Sequence, residues 1–479
     1  MTNKKPLYST WVLLALALMV SSCNVPETAL MEVSQSAPVR FDAATAPDSL
    51  NAAAVQWRDY FDDPNLTALI DTALQNNQEL NIVLQEIEVS RSEILEREGE
   101  YLPFVNLAAG MGAEKPGRYT RAGAVEDQLE IEPGRAFPEP MGDFQVGAVA
   151  SWEVDIWRKL RNAKDAARLR YLAANEGKNF LVTSLVAEIA RSYYELMALD
   201  NLLNTVNENV VIQTEALNKV KLQKANARAT QLAVNRFEAQ LLNTRNLQYG
   251  IRQQITETEN RLNFLVGRYP DTLPRNKEAF MNLQIDSIQT GLPSDLLENR
   301  PDIRQAEYQL AAANLDVEVA RADFYPRLDI RAGLGFQAFN PTFLINPESI
   351  VFNLAGDLMA PLINKKAIQA RYNRASSMQV QAVYQYEQTV LMAYTDILNQ
   401  LNKLKNISNS VGTKAQEVAL LNESVRIANS LYRNARADYV EVLLTQEEVL
   451  DAKMELLETK LLQLTAKVDL YRALGGGWR

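Results

Sequence analysis

The chain has no histidine among its 479 residues. The commonest general base and the commonest transition-metal ligand are therefore missing. It has one cysteine, Cys23, which excludes an intrachain disulfide and a cysteine-built zinc site. No surplus of positive charge is present: 49 Lys and Arg face 59 Asp and Glu, a formal net charge of −10. That balance argues against a nucleic-acid binder, which needs a cationic face. Proline is absent from 157–222, which holds one glycine, Gly177, and absent again from 364–433. Stretches of that length without a breaker read as long helices. The remaining composition is ordinary for a folded protein, 47% hydrophobic and 23% charged, in a length that allows one large core or two domains.

The single cysteine has a specific setting. Lys4 and Lys5 form a short positive start, and WVLLALALMV (Trp11–Val20) is an apolar run too short to span a bilayer as a helix. VSSC follows and ends on Cys23. The arrangement resembles a bacterial lipobox, in which residues 1–22 are a signal peptide and Cys23 becomes the lipidated first residue of the mature chain. Asn24, not Asp, comes next, which points to the outer membrane rather than retention in the inner one. The polar stretch Asn24–Leu50 reads as extended, so 23–56 is expected to be a lipidated N-terminal segment.

NARA occurs twice, at Asn226–Ala229 and Asn434–Ala437, 208 residues apart. The same offset aligns much more. Ile189, Leu196, Leu203, Val210 and Leu217, spaced by seven, match Ile397, Leu404, Val411, Val418 and Val425. Val182 matches Val390, Leu262 matches Leu470, and Gly267 matches Gly475. An apolar residue every seven positions is a coiled-coil-like seam. The flanking series, such as Asp200, Asn207 and Thr214 or Ser192 and Gln213, do not stay apolar. A closed two-stranded zipper therefore fits poorly, and a ring of helices with a watery inner side fits better. Each proline-free stretch makes a rod of ~100 Å. Each rod then meets NARA, after which helical patterning resumes. NARA is thus expected at the tip of an antiparallel helical hairpin, once per repeat. Gly267 ahead of Pro270 ends the first return helix, and Gly475–Gly477 ends the second.

A different texture precedes each rod. Tyr101–Ala113, Gly142–Asp155, Phe324–Phe336 and Ser349–Pro361 contain glycine, alternate in part, and are long enough for tilted membrane strands. Gly- and Pro-containing loops separate each pair. Four strands cannot close a barrel alone, and open edges are not tolerated in lipid. Two copies would give eight strands and a filled lumen; three would give twelve and room for a channel.

GLPSDLLENRPDIRQAEYQLAAANLDVEVARADFYPRL (Gly291–Leu328) closely resembles the equatorial signature of TolC-like outer-membrane factors. Trp57–Leu80 is similar to their first helices, SWEVDIWRKLRNA and LMAPLINKKAIQA to their strand-to-helix junctions, and VDLYRALGGGW to the C-terminal end of the pump-associated lipoprotein branch. The resemblance implies a mainly α chain with a transmembrane β-barrel part. Long hairpins would form a trimeric α-barrel, and four strands per chain would contribute to a twelve-stranded β-barrel. The expected layout is a first repeat at 57–267, an equatorial linker at 268–300 and a second repeat at 301–479. The implied function is the exit duct of a tripartite efflux pump in the outer membrane, extending into the periplasm. Partners would be a periplasmic adaptor and an inner-membrane transporter of the RND type. No cofactor, metal or catalytic residue is implied.

Two departures bear on the sites. The hairpin tips Asn226, Ala227, Arg228, Ala229 and Asn434, Ala435, Arg436, Ala437 are the expected adaptor contacts. Relatives commonly have glycine where Ala227 and Ala435 stand. Alanine resists φ > 0, so a different tip geometry or a different adaptor is expected. Just past the second tip, Val440, Glu441 and Leu444 stand where relatives carry two acids lining a periplasmic aperture; Leu444 replaces the second. A mixed ring of Glu441 with Val440 and Leu444 would favour cations and resist wetting. The competing reading makes Glu441 a solvated charge at a helix start. Arg433, Arg436 and Asp438 would either hold neighbouring hairpins together or keep the tip soluble.

An enzyme is disfavoured. Asp62–Asp63 and Glu447–Glu448 are adjacent, so on a regular element each pair points in different directions. A type I protein-secretion channel and a poreless coiled-coil lipoprotein are the alternatives to the efflux duct.

Overall fold

The computed structural model describes residues 25–28, 30–33, 55–283, 295–361, 363, 365–434 and 436–478. The expected signal peptide 1–22, Cys23 and Ala435 lie outside the described residues. The chain divides into two compact units, each drawing on both sequence repeats. Among the described residues no helix is long and apolar enough to cross a membrane.

The first unit takes in 88–171 and 308–384 with the N-terminal residues to Glu32. Its strands are β1 (Phe104–Glu114), β2 (Glu130–Glu132), β3 (Arg135–Ala136), β4 (Met141–Val154), β5 (Arg327–Ala338) and β6 (Ile350–Met359). Four form one antiparallel sheet in the order β1-β4-β5-β6. Each expected strand is present with its ends shifted by one to three residues. Tyr101 belongs to the preceding helix, because Pro103 marks the break, and Pro326 delays β5 to Arg327. The β1–β4 connection is more ordered than a bare loop. It holds the helix Arg121–Glu126, capped by Thr120, and the β2–β3 hairpin, which turns at Gly134 with φ 82°. The β5–β6 connection holds two 3-10 turns. Each opens with Asn-Pro, and the side chains of Asn340 and Asn346 accept from Thr342 N and Glu348 N.

The second unit holds the hairpins. We label the long helices αA (Lys159–Ala225, 67 residues) and αC (Lys366–Arg433, 68 residues), and their return helices αB (Gln231–Leu265) and αD (Tyr439–Ala473). αA and αC begin in the first unit. The heptad seam is real but uneven. Ile189, Leu196 and Ile397 are fully buried, whereas Leu404, Val411, Val418 and Val425 are half-buried.

The core of the second unit gathers Trp57, Leu66, Ile70, Ile189, Leu196, Phe280 and Leu464. Tyr60 stacks on Tyr471 at 3.9 Å, and Tyr193 donates to Asp63 Oδ2 at 2.8 Å. Arg275 fastens the linker to the helices, pairing with Asp200 at 2.5 Å and Glu259 at 2.6 Å. Arg300, from the 291–328 signature, pairs with Asp302 and donates to the carbonyl of Ala473 at 2.7 Å. The matched glycines end both return helices in the same way. Gly267 (φ 73°) lies against the carbonyl of Asn76, and Gly475 (φ 91°) against that of Asn299. A Cβ at either position would collide with backbone.

Candidate channel wall and hairpin tips

Strand register sorts the side chains of the sheet. Val105, Leu107 and Ala109 pair with Ala150, Ala148 and Val146. These face the same way as Leu334, Phe336 and Ile330 of β5 and Phe352, Leu354 and Leu358 of β6. Leu107, Leu334, Phe352 and Leu354 are strongly exposed. The opposite face carries Asn106, Glu114, Asp143, Gln145, Glu153, Arg327, Asp329, Arg331, Asn353 and Asp357. Cross-strand contacts confirm the grouping: Gln337 donates to Asp143 at 2.8 Å, Arg331 lies 3.9 Å from Asp357, and Arg327 lies 3.8 Å from Glu153. Phe104, Met141, Val149, Val351 and Met359 are the large apolar exceptions on that face. An apolar side for lipid and a charged side for water is the pattern of a transmembrane barrel wall.

The tips were built from helix-end chemistry. Arg228 N donates to the carbonyl of Gln223 at 2.8 Å, and Ala227 N to that of Lys224 at 2.9 Å. This is a Schellman ending, and it places Ala227 at φ 57°. Alanine therefore occupies the left-handed conformation that glycine adopts freely. Two backbone bonds and the start of αB hold it in the left-handed region. Thr230 then caps αB, accepting from Ala233 N at 3.2 Å. At the second tip Arg436 N donates to the carbonyl of Leu431 at 2.9 Å, the same six-to-one bond 208 residues on. Asn226 and Asn434 each donate a side-chain bond to a carbonyl four residues back, both at 2.8 Å. Arg228 is exposed; Ala229 and Ala437 are half-buried. Asp438 precedes αD but makes no side-chain cap bond.

The two tips are brought side by side. Tyr432 donates to Gln223 Oε1 at 2.5 Å, and Tyr439 approaches Phe237 with ring centroids 6.4 Å apart. Burial raises the Tyr432 phenol above its ordinary range. Leu443 packs with Leu217, Val220, Val234 and Phe237. The sequence reading missed Tyr432 and Gln223. The repeat does not pair them, since the first-copy counterpart of Tyr432 is Lys224. Arg433, Arg436 and Asp438 are exposed and make no ion pair among the described residues.

The start of αD has two sides. Val442 and Leu443 are buried at 4% and 9% exposure. Glu441 and Leu444 are exposed and Val440 is half-buried, so these three form a strip that the chain itself leaves uncovered.

A sheet with one lipid-compatible and one charged face, together with paired helical hairpins, defines a chain of the outer-membrane channel class. The model for the outer membrane efflux protein family matches residues 69–268 and 292–476, and the chain belongs to that family. It is 27% identical over 438 residues to the solvent efflux pump outer membrane protein SrpC of Pseudomonas putida, covering 90% of this chain and 89% of that one. It is 28% identical over 473 residues to the pyoverdine export outer membrane protein OpmQ of Pseudomonas aeruginosa, covering 98% and 96%. Its fold is similar to the open state of the Neisseria gonorrhoeae MtrE outer membrane channel, with a TM-score of 0.82 at 23% identity over 95% of this chain and 98% of that one. The chain is thus an outer-membrane efflux component with α-barrel and β-barrel parts, reaching into the periplasm as the exit duct of a tripartite pump. The family is one of transport proteins rather than an enzyme class.

Proposed function

We propose that three copies of this chain form a lipid-anchored duct that exports small toxic compounds delivered by an RND-type inner-membrane transporter through a periplasmic adaptor. The sheet carries the reading: its two faces suit lipid and water, and β1 and β6 have no strand neighbour on their outer edges among the described residues. Three copies bring twelve strands and leave a lumen. Cys23 is the acylated residue. The NARA tips, 226–229 and 434–437, dock the adaptor. Val440, Glu441 and Leu444 from each copy form the narrow periplasmic mouth, an acidic and apolar ring. The relatives named for solvent and pyoverdine export support small-molecule cargo. The sequence repeats at 57–267 and 301–479, joined by 268–300, are the units of duplication.

Mass measurement of the purified protein in detergent tests the stoichiometry, and a two-chain mass would overturn it. Single-channel recording tests the mouth. Glu441→Gln should reduce cation preference, and an unchanged reversal potential would remove Glu441 from the aperture. A deletion strain should become sensitive to dyes, detergents or antibiotics; secretion loss without such sensitivity would favour the protein-export alternative.

A further inference from the structure

The turn from β4 into αA contains a residue whose side chain the fold does not use. Arg158 has φ 59°; with Ala227 it completes the non-glycine residues of positive φ among the described residues. That region is disfavoured for any residue with a Cβ, and glycine would occupy it freely. Strained positions of this kind point to a use for the side chain. Yet Arg158 is exposed and its guanidinium has no partner among the described residues.

The charges around it are already matched. A cleft of about 450 Å³ beside Arg158 is lined by Trp157, Lys159, Asp323, Tyr325, Ile368 and Arg371, with Glu153, Asp155 and Arg327 at its strand side. Asp155 pairs with Arg161 at 3.0 Å, and Glu153 lies 3.8 Å from Arg327. Asp323 takes both Lys159 at 2.8 Å and Arg371 at 3.2 Å. That shared carboxylate sets the starts of αA and αC side by side. Lys366 opens αC, five residues and ~7.5 Å before Arg371, and is also exposed and unpaired among the described residues. Arg158 and Lys366 are therefore surplus cations with no free carboxylate in the cleft.

The place is the membrane boundary. The apolar face of the sheet ends at Val154, Leu328 and Leu358. The Trp157 indole is held there, stacked on Tyr325 at 4.5 Å and donating to the carbonyl of Pro326 at 2.7 Å, yet 45% exposed. Fixed, half-exposed indoles are typical of the headgroup level. The N-terminal segment is seated alongside. Val25 packs against the cluster of Val317, Phe324 and Tyr372, and Tyr372 donates to the carbonyl of Glu27 at 2.9 Å.

We propose that this junction binds the headgroup of an anionic phospholipid of the outer membrane, with Arg158 and Lys366 on the phosphodiester and Trp157 against the glycerol region. Phosphate oxygens suit an arginine fork. A zwitterionic headgroup would bring an ammonium with no free carboxylate to meet it. The inference uses the outer-membrane seat of the chain and is independent of stoichiometry, gate and cargo.

The test is a titration of the full-length protein in detergent with dioctanoyl-phosphatidylglycerol, followed by native mass spectrometry. Arg158→Gly should weaken binding about fivefold, and Arg158→Gly with Lys366→Gln about twenty-five-fold, from the worth of one surface cation near an anionic headgroup. Arg158→Lys, which keeps the charge and loses the fork, should bind between wild type and Arg158→Gly. Glycine relieves the backbone, so Arg158→Gly should melt no lower than wild type, which separates lost binding from lost folding. Wild-type affinity in the double variant would overturn the proposal, as would equal binding of dioctanoyl-phosphatidylcholine. Displacement of the lipid by equimolar inorganic phosphate would also overturn it, since the site would then be one for free anions.

Discussion

The first hairpin tip makes a quantitative prediction. Ala227 holds φ 57°, a conformation that costs an L-residue ~1–2 kcal/mol. Its side chain is exposed, so replacing it changes no packing. Ala227→Gly removes the strain, while the freer opened chain returns ~0.5–1 kcal/mol. The net gain is ~0.5–1 kcal/mol for the closed turn, a two- to fivefold change in its opening equilibrium. Hydrogen exchange reads this directly, because the Arg228 amide donates to the carbonyl of Gln223 at 2.8 Å and is released only when the turn opens. Exchange at Arg228 should slow two- to fivefold in Ala227→Gly and quicken in Ala227→Val, whose branched Cβ resists the left-handed region more. The Arg436 amide, bonded to Leu431 at 2.9 Å in the second tip, should be unmoved and serves as the internal reference. Unchanged or faster exchange at Arg228 in the glycine variant would refute the argument that alanine strains this turn.

Other outcomes follow from the same geometry. Tyr432→Phe removes the bond to Gln223, worth ~1 kcal/mol; planar-bilayer recordings should show more frequent opening, and identical gating would show that the bond does not hold the mouth. Leu334→Arg puts a charge on the apolar sheet face at a cost of ~2–4 kcal/mol near mid-bilayer, so little assembled protein should reach the outer membrane. Asn353→Arg, on the charged face, should assemble normally, and equal yields would contradict the assignment of faces. Burial raises the phenols of Tyr60, Tyr193, Tyr194 and Tyr471 above the ordinary 10.0. Their contribution to stability is complete below that pH and is lost as pH rises from there through the raised folded-state values. Burial lowers Lys460 instead; its penalty is present at lower pH and fades as the amine deprotonates, a single opposing group. Helical circular dichroism should therefore fall together with the growth of tyrosinate absorbance above pH 10, and normal tyrosine titration with intact helices would contradict the burial argument.

What the sequence made legible follows from which forces are local. The hairpins were readable because a seven-residue period and the absence of proline act along one helix, and the 208-residue offset showed the pattern twice. Strand positions were readable within a few residues, with Pro103 and Pro326 accounting for displaced ends. The sorting of the sheet into two faces was only partly visible. Glycine and alanine blur the alternation within each strand, and register across β4 and β5 makes the faces plain. The short helix and β2–β3 hairpin were hidden in a segment rich in turn residues. Tyr432–Gln223 and Phe237–Tyr439 depend on lateral packing of one hairpin on another, which no period encodes. Arg158 was opaque for a related reason: neither glycine nor asparagine marked its left-handed turn, and the constraint comes from Asp155, which accepts from Leu160 N and Arg161 N and fixes the helix start behind it.

The edges of the sheet carry the argument for closure further than composition could. β1 runs antiparallel to β4, β4 to β5, and β5 to β6. Alternation through four strands leaves β6 opposite in direction to β1. The β6 edge of one copy can therefore pair with the β1 edge of the next without a parallel step, and the ring stays antiparallel throughout. The edges also match in length, at 11 and 10 residues. A sheet of three or five strands per chain would have forced a parallel seam at every subunit boundary. In hydrocarbon each unmade backbone bond costs several kcal/mol, so two open edges of this length make the single chain untenable in the membrane. The four-stranded alternation supplies a self-matching edge pair, and the number of copies is then set by the lumen: a small barrel fills with its own side chains, whereas the charged face of Asp143, Asp329, Arg331 and Asp357 needs water to meet it.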